Sequence, residues 1–594
     1  MKLLDTRLKR LLVAFFATAV FFVMVIAFAP VQFETNDDYG LMMWIAGYCT
    51  GEPSAYELGW TTFCFSFFVS RLYMLLPMIP WYTVSHLFVL WFSFSIICFC
   101  LIDSGSEGRA ELIVSCVAVI CVLSAVALYS IVMLQFTTTP AAAGGSAVTL
   151  LVHYKKRSRR YLVFSVLTIS LLMAFSFSIR TESFLACAAL YLCIAVVCYI
   201  RSRRWRMQIL MVTLIPFIAV SALYAIDWIA YSTPEYRAFR DYNRERNQFM
   251  ANHRPSYRIA PEVYKNAGLN EKESALVDTW RFMFEKTGFE MFKKLNDGVA
   301  EYYEEYPPAT KIPASRFNDY LNPIGSTPYH TYGFLLIVFS AFVVILAPGG
   351  IKVNPEFSLK ERIMLIVTRH SNRIIAAGIL VFFLLGVIYF IEMERIPSRV
   401  YRMLLLASSP ALMLLVVKTL NNRKRKTNTQ LALLCIIIPC TMAFISVNLL
   451  ELEARKSSYA GTLSSANEYA INHPEKVYFN DVGLYAIIDP FTVYRNEKPT
   501  NMISVVGSEI HSPLYLEQLR RNGFDRVSQS VMLDDHAYLM VRNLSDTLVA
   551  YYAQEYPEYE FVMTDYVEGA GVGVYKLTMI KLSHSEDEII FGDY

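Results

Sequence analysis

Charge is scarce in this chain, and cysteine is kept out of nearly all its polar stretches. Only 18% of the 594 residues are charged against 55% hydrophobic, and the apolar residues come in long runs, which excludes an ordinary soluble domain. The net charge of +3 is too small for a nucleic-acid-binding surface. Of the 11 cysteines, all but Cys49 fall inside apolar runs, from Cys64 to Cys440, so no disulfide framework is implied. CxxC pairs and the His/Cys spacings of a metal site are absent, as are repeats and low-complexity tracts. The glycine-rich run at 569 to 573 lacks the spacing and the lysine of a phosphate loop.

What is present is membrane-length hydrophobicity. A transmembrane helix needs about 20 apolar residues, and cytoplasmic loops are enriched in Lys and Arg. The first run, 11 to 30, follows Lys2, Arg7, Lys9 and Arg10 but has no small-residue cleavage site, and further spans follow it. It reads as a retained first helix with a cytoplasmic N-terminus. Further spans are expected at 59 to 77, 81 to 102, 111 to 136, 161 to 179, 183 to 200, 208 to 229, 332 to 348, 374 to 391, 400 to 418 and 429 to 449. This arrangement places the basic clusters at 155 to 160, 201 to 206, 352 to 373 and 423 to 426 together on the cytoplasmic side. Residues 31 to 58, 230 to 331, 392 to 399 and everything after 450 then lie outside.

Residues 137 to 153 do not fit this parity as a full crossing. A re-entrant or broken helix is expected there, because irregular backbone at membrane depth survives only where protein or water covers it. The expected fold is thus a polytopic α-helical membrane protein with about 11 to 13 transmembrane helices. Its membrane module occupies 1 to 450, with a juxtamembrane helix in the first outer loop and a helical outer cap at 230 to 331. A smaller extracytoplasmic α/β domain follows at 451 to 594. In that tail, 476 to 479, 537 to 541 and 573 to 577 alternate like strands, while 512 to 522 and 548 to 556 read as helices.

Three groups of residues carry potential chemistry. Glu34, Asn36, Asp37 and Asp38 stand just beyond the first span, where paired carboxylates beside hydrocarbon are costly and mark sites. One of Asp37 and Asp38 serves as general base in this reading, the two hold a divalent metal, or they cap the juxtamembrane helix. Arg180 and Glu182 lie at a minimal outer connection, either paired with each other or contacting substrate. Arg395, Arg399 and Arg402 crowd a short outer loop and helix start, where topology alone gives no reason for basic residues. An anionic ligand supplies one; solvated ion pairs with Glu392 and Glu394 are the alternative.

The carboxylate after the first helix, the juxtamembrane helical loop, the dozen or so spans and the outer C-terminal domain resemble the GT-C superfamily of lipid-linked-sugar glycosyltransferases. More narrowly, Asn36-Asp37-Asp38, Gly51-Glu52-Pro53, Leu72-Tyr73 and Pro80-Trp81-Tyr82 look like bacterial polytopic membrane proteins of glucosyltransferase type. The resemblance covers roughly 1 to 450 by span count. It implies transfer of a sugar, with inversion, from a polyprenyl-phosphate carrier to a glycan or lipid acceptor of the cell envelope, such as a polysaccharide. Asp37 or Asp38 would be the base, and Arg399 or Arg402 the clamp on the donor phosphate. Mg²⁺ or Mn²⁺ would suit a carboxylate–phosphate bridge, a question the sequence leaves open. The competing classes are a transporter or flippase of lipid-linked glycans, and a non-catalytic envelope scaffold. A transporter predicts mid-membrane charges and related halves, and neither is evident in the sequence.

Overall fold

The computed structural model describes residues 6–56, 60–105, 109–155, 158–202, 204–307, 328–347, 358–392, 398–421, 441–450, 452, 462–480, 489–494 and 497–580. The chain folds as two compact units, the first from 1–240, 308–460 and 487–496, the second from 241–307, 461–486 and 497–594. This division does not fall at 450: the polar helices after 240 belong with the tail.

In the first unit, α1 (Arg7–Phe28) leads through the two-residue strand β1 (Gln32–Phe33) into the short helix α2 (Asn36–Ile45). Then come α3 (Phe63–Leu75), α4 (Trp81–Ser104), α5 (Glu111–Val132), β2 (Met133–Leu134), α6 (Thr138–His153), α7 (Arg159–Ile179), α8 (Thr181–Arg201) and α9 (Arg206–Ala230). The unit is completed by α10 (Pro328–Ile345), α11 (Leu359–Glu392), α12 (Ser398–Leu420) and the described apolar helix Thr441–Leu450. Eight of the described helices are long and apolar enough to cross a membrane, which makes this a multi-pass membrane protein. Inside α5, Leu123–Ala127 widens into a π-turn, a local irregularity that recurs at functional sites.

The bundle has two chemically different ends. At one, Asp103 near the end of α4 takes Arg10 at 2.6 Å, Arg7 at 3.4 Å and His153 at 3.0 Å. There Lys418 of α12 donates to the Val152 carbonyl at 2.8 Å. At the other end lie Glu34, Asp38, Tyr82, Thr137 and Arg180, held by hydrogen bonds described below.

These two ends correct two expectations from the sequence. Helix α3, read as a crossing, starts and stops in the same layer. Thr62, its N-cap, donates to the Ser178 carbonyl at 3.0 Å, and Tyr73 near its other end accepts from the Tyr82 amide at 3.1 Å. Its first amide, on Phe63, is satisfied by Asp227 of α9 at 2.7 Å, a cap supplied from another helix.

Helix α6, read as re-entrant or broken, is continuous and runs from Thr137 at the Asp38 end to His153 at the Asp103 end. All 16 of its residues are buried. The misreading follows from parity, since counting α3 as a crossing leaves none for α6; the small residues Ala141, Ala142, Ala143, Gly144 and Gly145 permit close approach to its neighbours. A Cβ on Gly144 would lie 2.5 Å from the Cys187 side chain of α8, and one on Gly145 would lie 2.2 Å from the Leu406 carbonyl of α12. The two errors cancel, so the parity of the later spans is unchanged.

The second unit is a five-stranded mixed sheet of order β4-β3-β5-β7-β6. Strands β3 (Val477–Asn480), β4 (Met502–Ser504) and β5 (Ala537–Val541) are parallel. The hairpin β6 (Tyr559–Val567) and β7 (Val572–Met579) adds on antiparallel, β7 pairing with β5. The helices expected at 512 to 522 and 548 to 556 form as Pro513–Arg521 and Asp546–Glu555.

Candidate functional site

The site is assembled by backbone before side chains meet. β1 and β2 pair in parallel, Phe33 opposite Leu134, and the Glu34 amide continues the ladder to the Leu134 carbonyl at 2.9 Å. This fixes the first outer loop against the strand that opens into α6. Thr35 occupies the N-cap of α2, so Asp37 and Asp38 lie in its first turn, where a helix favours negative charge. Neither aspartate is the cap.

The two aspartates then part. Asp38 is completely buried. Its Oδ1 accepts from the Phe136 amide at 2.8 Å and the Tyr82 hydroxyl at 3.1 Å, while Oδ2 accepts from the Thr35 hydroxyl at 3.0 Å. Burial pushes its carboxyl well above the usual range, with neighbouring Asp37 adding to the rise and the three hydrogen bonds opposing it. It ties α2, α4 and the start of α6 together and presents no surface to a substrate. Of the two candidates for general base, Asp38 is enclosed by protein donors.

Asp37 keeps 21% of its side chain exposed, and its Oδ2 receives Arg399 Nη1 of α12 at 2.8 Å. Beside it, Glu34 Oε1 takes Arg402 Nη1 at 2.7 Å, with both side chains almost wholly buried. The Arg402 guanidinium stacks on the Tyr129 ring, 3.3 Å from its centroid. Glu34 Oε2 is buried with no hydrogen-bond partner among the described residues.

Arg180 joins from the junction of α7 and α8. It donates to Thr137 Oγ1 at 2.6 Å, lies 4.4 Å from the centre of the Phe136 ring, and feels the charges of Arg399, Asp37 and Asp38. Its partner Glu182, at 3.3 Å, is 65% exposed, so the ion-pair reading applies to Glu182 and the inward contacts belong to Arg180. Asn36 opens α2 and makes no side-chain hydrogen bond among the described residues. Arg395 and Glu394 lie outside the described residues.

Sequence reasoning missed Tyr82, Phe136 and Tyr129 as parts of the site. Two of them act through an amide or a ring inside apolar runs and carry no polar signal; Tyr82 stood in the quoted motif without a role.

An apolar cavity adjoins Arg402, lined also by Ala125, Val126, Tyr129, Leu336, Leu405 and Phe444. A second shares Ala125, Val126, Leu336 and Ser409 and continues to Cys121, Leu412 and Met413.

The metal expectation does not fit this geometry. Asp38 spends both oxygens on protein donors, and Asp37 and Glu34 each face a guanidinium. Among the described residues no group of three or more His, Cys, Asp or Glu is placed to hold a metal ion.

Comparison with known proteins adds a fold-level likeness. The structure is similar to the crystal structure of ArnT from Cupriavidus metallidurans bound to undecaprenyl phosphate, at 11% identity and a TM-score of 0.40, covering 95% of this chain and 97% of that one. The apo form of the same protein gives 12% identity and a TM-score of 0.39 over the same shares. No family model and no curated protein matches the chain.

Proposed function

We propose that this chain is a membrane glycosyltransferase that moves a sugar from a polyprenyl-phosphate carrier to an acceptor hydroxyl on the extracytoplasmic face. The observation that carries the reading is the meeting of Asp37, Arg399, Glu34, Arg402 and Arg180, drawn from three separate stretches of sequence, in one end layer of the bundle. The opposite layer holds Arg7, Arg10, Lys418 and Arg201, which the positive-inside rule assigns to the cytoplasm.

In this account Arg399 receives the donor phosphate, because a guanidinium pairs strongly with phosphate oxygens, and Arg402, buried against Glu34 and Tyr129, holds the first outer segment to the same helix behind it. Phosphate arriving at Arg399 competes with Asp37 for the guanidinium, so donor binding frees the carboxylate. Asp37 then takes the proton of the acceptor hydroxyl as its oxygen attacks the anomeric carbon. The bond from that carbon to the phosphate oxygen breaks, and polyprenyl phosphate leaves with its new charge held by Arg399. A single displacement of this kind inverts the anomeric centre.

Purified protein reconstituted in sealed liposomes, given labelled polyprenyl-phosphate sugar and envelope glycan or lipid acceptors, tests the proposal. Label passing to an acceptor supports it. Label carried across the bilayer unchanged supports a transporter and removes it, and the absence of both leaves the scaffold reading.

A further inference from the structure

The second unit holds a buried cation that the transfer reaction does not use. Arg246, on the helix Pro234–Ala251, is 0% exposed. Its Nη2 donates to the side chains of Asn243 and, at 2.9 Å, Asn247. Its Nε and Nη1 are buried without a hydrogen-bond partner among the described residues. An enclosed charged group with unmet donors is expensive, so such a group in a folded protein needs a reason.

The surroundings are consistent with a closed binding site. The guanidinium carbon lies 5.3 Å from the centre of the Trp280 ring and 5.9 Å from that of Phe282. The field of Glu509 reaches Arg246, yet Arg246 forms no ion pair among the described residues. His511 packs on Tyr242 with ring centres 4.9 Å apart and bonds through Nε2 to the Thr287 hydroxyl at 2.8 Å. Burial and the nearby guanidinium hold the His511 imidazole down to about 4, so it adds no charge at neutral pH. Ser508, on the same turn, has a buried hydroxyl without a partner among the described residues.

The backbone supplies an independent sign. Trp280 and His511 are the non-glycine residues with positive φ among those described, at 61° and 74°. Bulky residues held in that region are strained, and such strain gathers at ligand clamps and switch segments. Both flank Arg246, and the turns that carry them touch where the Gly507 amide donates to the Trp280 carbonyl.

We infer that Arg246 anchors a binding site for an oxyanion, a carboxylate or phosphate group, and that the turns at Trp280 and His511 open to admit it. An oxyanion provides both the acceptors and the countercharge that the guanidinium lacks. Nothing in this inference depends on the chemistry at Asp37.

Hydrogen exchange on the full-length protein in nanodiscs tests it, with inorganic phosphate, glucuronate and neutral glucose added in turn. At ten times its Kd, a bound oxyanion slows opening of the site about tenfold, and the protection falls in peptides covering 242–250 and 507–511. Glucose gives none. Protection by phosphate alone identifies a phosphate ligand, and protection by glucuronate alone a sugar carboxylate. Arg246→Gln removes the protection and Arg246→Lys keeps part of it. No protection of these peptides by either oxyanion overturns the inference, and so does full protection in Arg246→Gln. The wild-type measurement decides the matter alone if the Gln variant does not fold.

Discussion

Arg399 donates to Asp37 at 2.8 Å across 362 positions of sequence. The two residues belong to different helices and to opposite ends of the membrane module in chain order. Nothing local requires their pairing, and an ion pair left partly open to solvent contributes little to stability. Its interest lies in what an arriving phosphate does to it.

Arg399→Gln removes the charge but keeps a donor. The expected result is donor binding weakened at least about tenfold, because hydrogen bonds to charged groups are worth roughly 1.5–3 kcal/mol. Binding of a polyprenyl-phosphate analogue measured on purified protein checks this. Unchanged affinity removes Arg399 from the proposed clamp.

Glu34 and Arg402 form the buried pair. Arg402→Gln leaves Glu34 enclosed without its cation, a loss of about 3–5 kcal/mol. The double variant Glu34→Gln with Arg402→Gln removes both charges and should be less destabilised than the single one. Thermal midpoints of the four proteins in the cycle test the coupling. Additive losses would mean that the pair is not coupled.

Asp38 gives a pH signature. Its folded carboxyl is raised by burial, so the native state binds the proton more tightly than the unfolded chain. Stability from this group is therefore fully present below about pH 4 and declines as pH rises toward the folded value. Asp38→Asn stays neutral and keeps an oxygen for the Phe136 amide and the Tyr82 hydroxyl. The thermal midpoint of the wild type should fall relative to Asp38→Asn as pH increases above about 4. Parallel pH profiles would contradict the assignment.

Gly145→Ala tests the support of the clamp. The added Cβ would meet the Leu406 carbonyl at 2.2 Å, pushing α6 away from the helix that carries Arg399 and Arg402. A loss of about 1–3 kcal/mol is expected from overpacking, accompanied by weaker donor binding. A variant with wild-type midpoint and affinity would show that the contact is not needed.

The sequence located the acidic and basic residues because charge at the ends of apolar runs is visible against a background with little of it. Glu34, Asp37, Arg180, Arg399 and Arg402 do come together. It did not separate Asp37 from Asp38, since both occupy the first turn of one short helix and only the tertiary donors Phe136 and Tyr82 enclose one of them. Helix α6 reads as re-entrant because counting α3 as a crossing leaves no room in the parity for another full span before the basic residues at 155 to 160. Helix α3 was overread because Phe63–Leu75 is apolar enough to span but short and turned back at Pro77 and Pro80. Arg246 gave no signal at all: one of four arginines in the polar helix Pro234–Ala251, it reads as solvated until its burial is seen.

The most direct test is the rate of sugar transfer by Asp37→Asn, measured beside wild type with the same labelled polyprenyl-phosphate donor in nanodiscs. Loss of a general base predicts a fall of about 10²–10⁴ in kcat, with donor affinity raised because Asp37 no longer competes for Arg399. Transfer by Asp37→Asn at the wild-type rate would contradict the account.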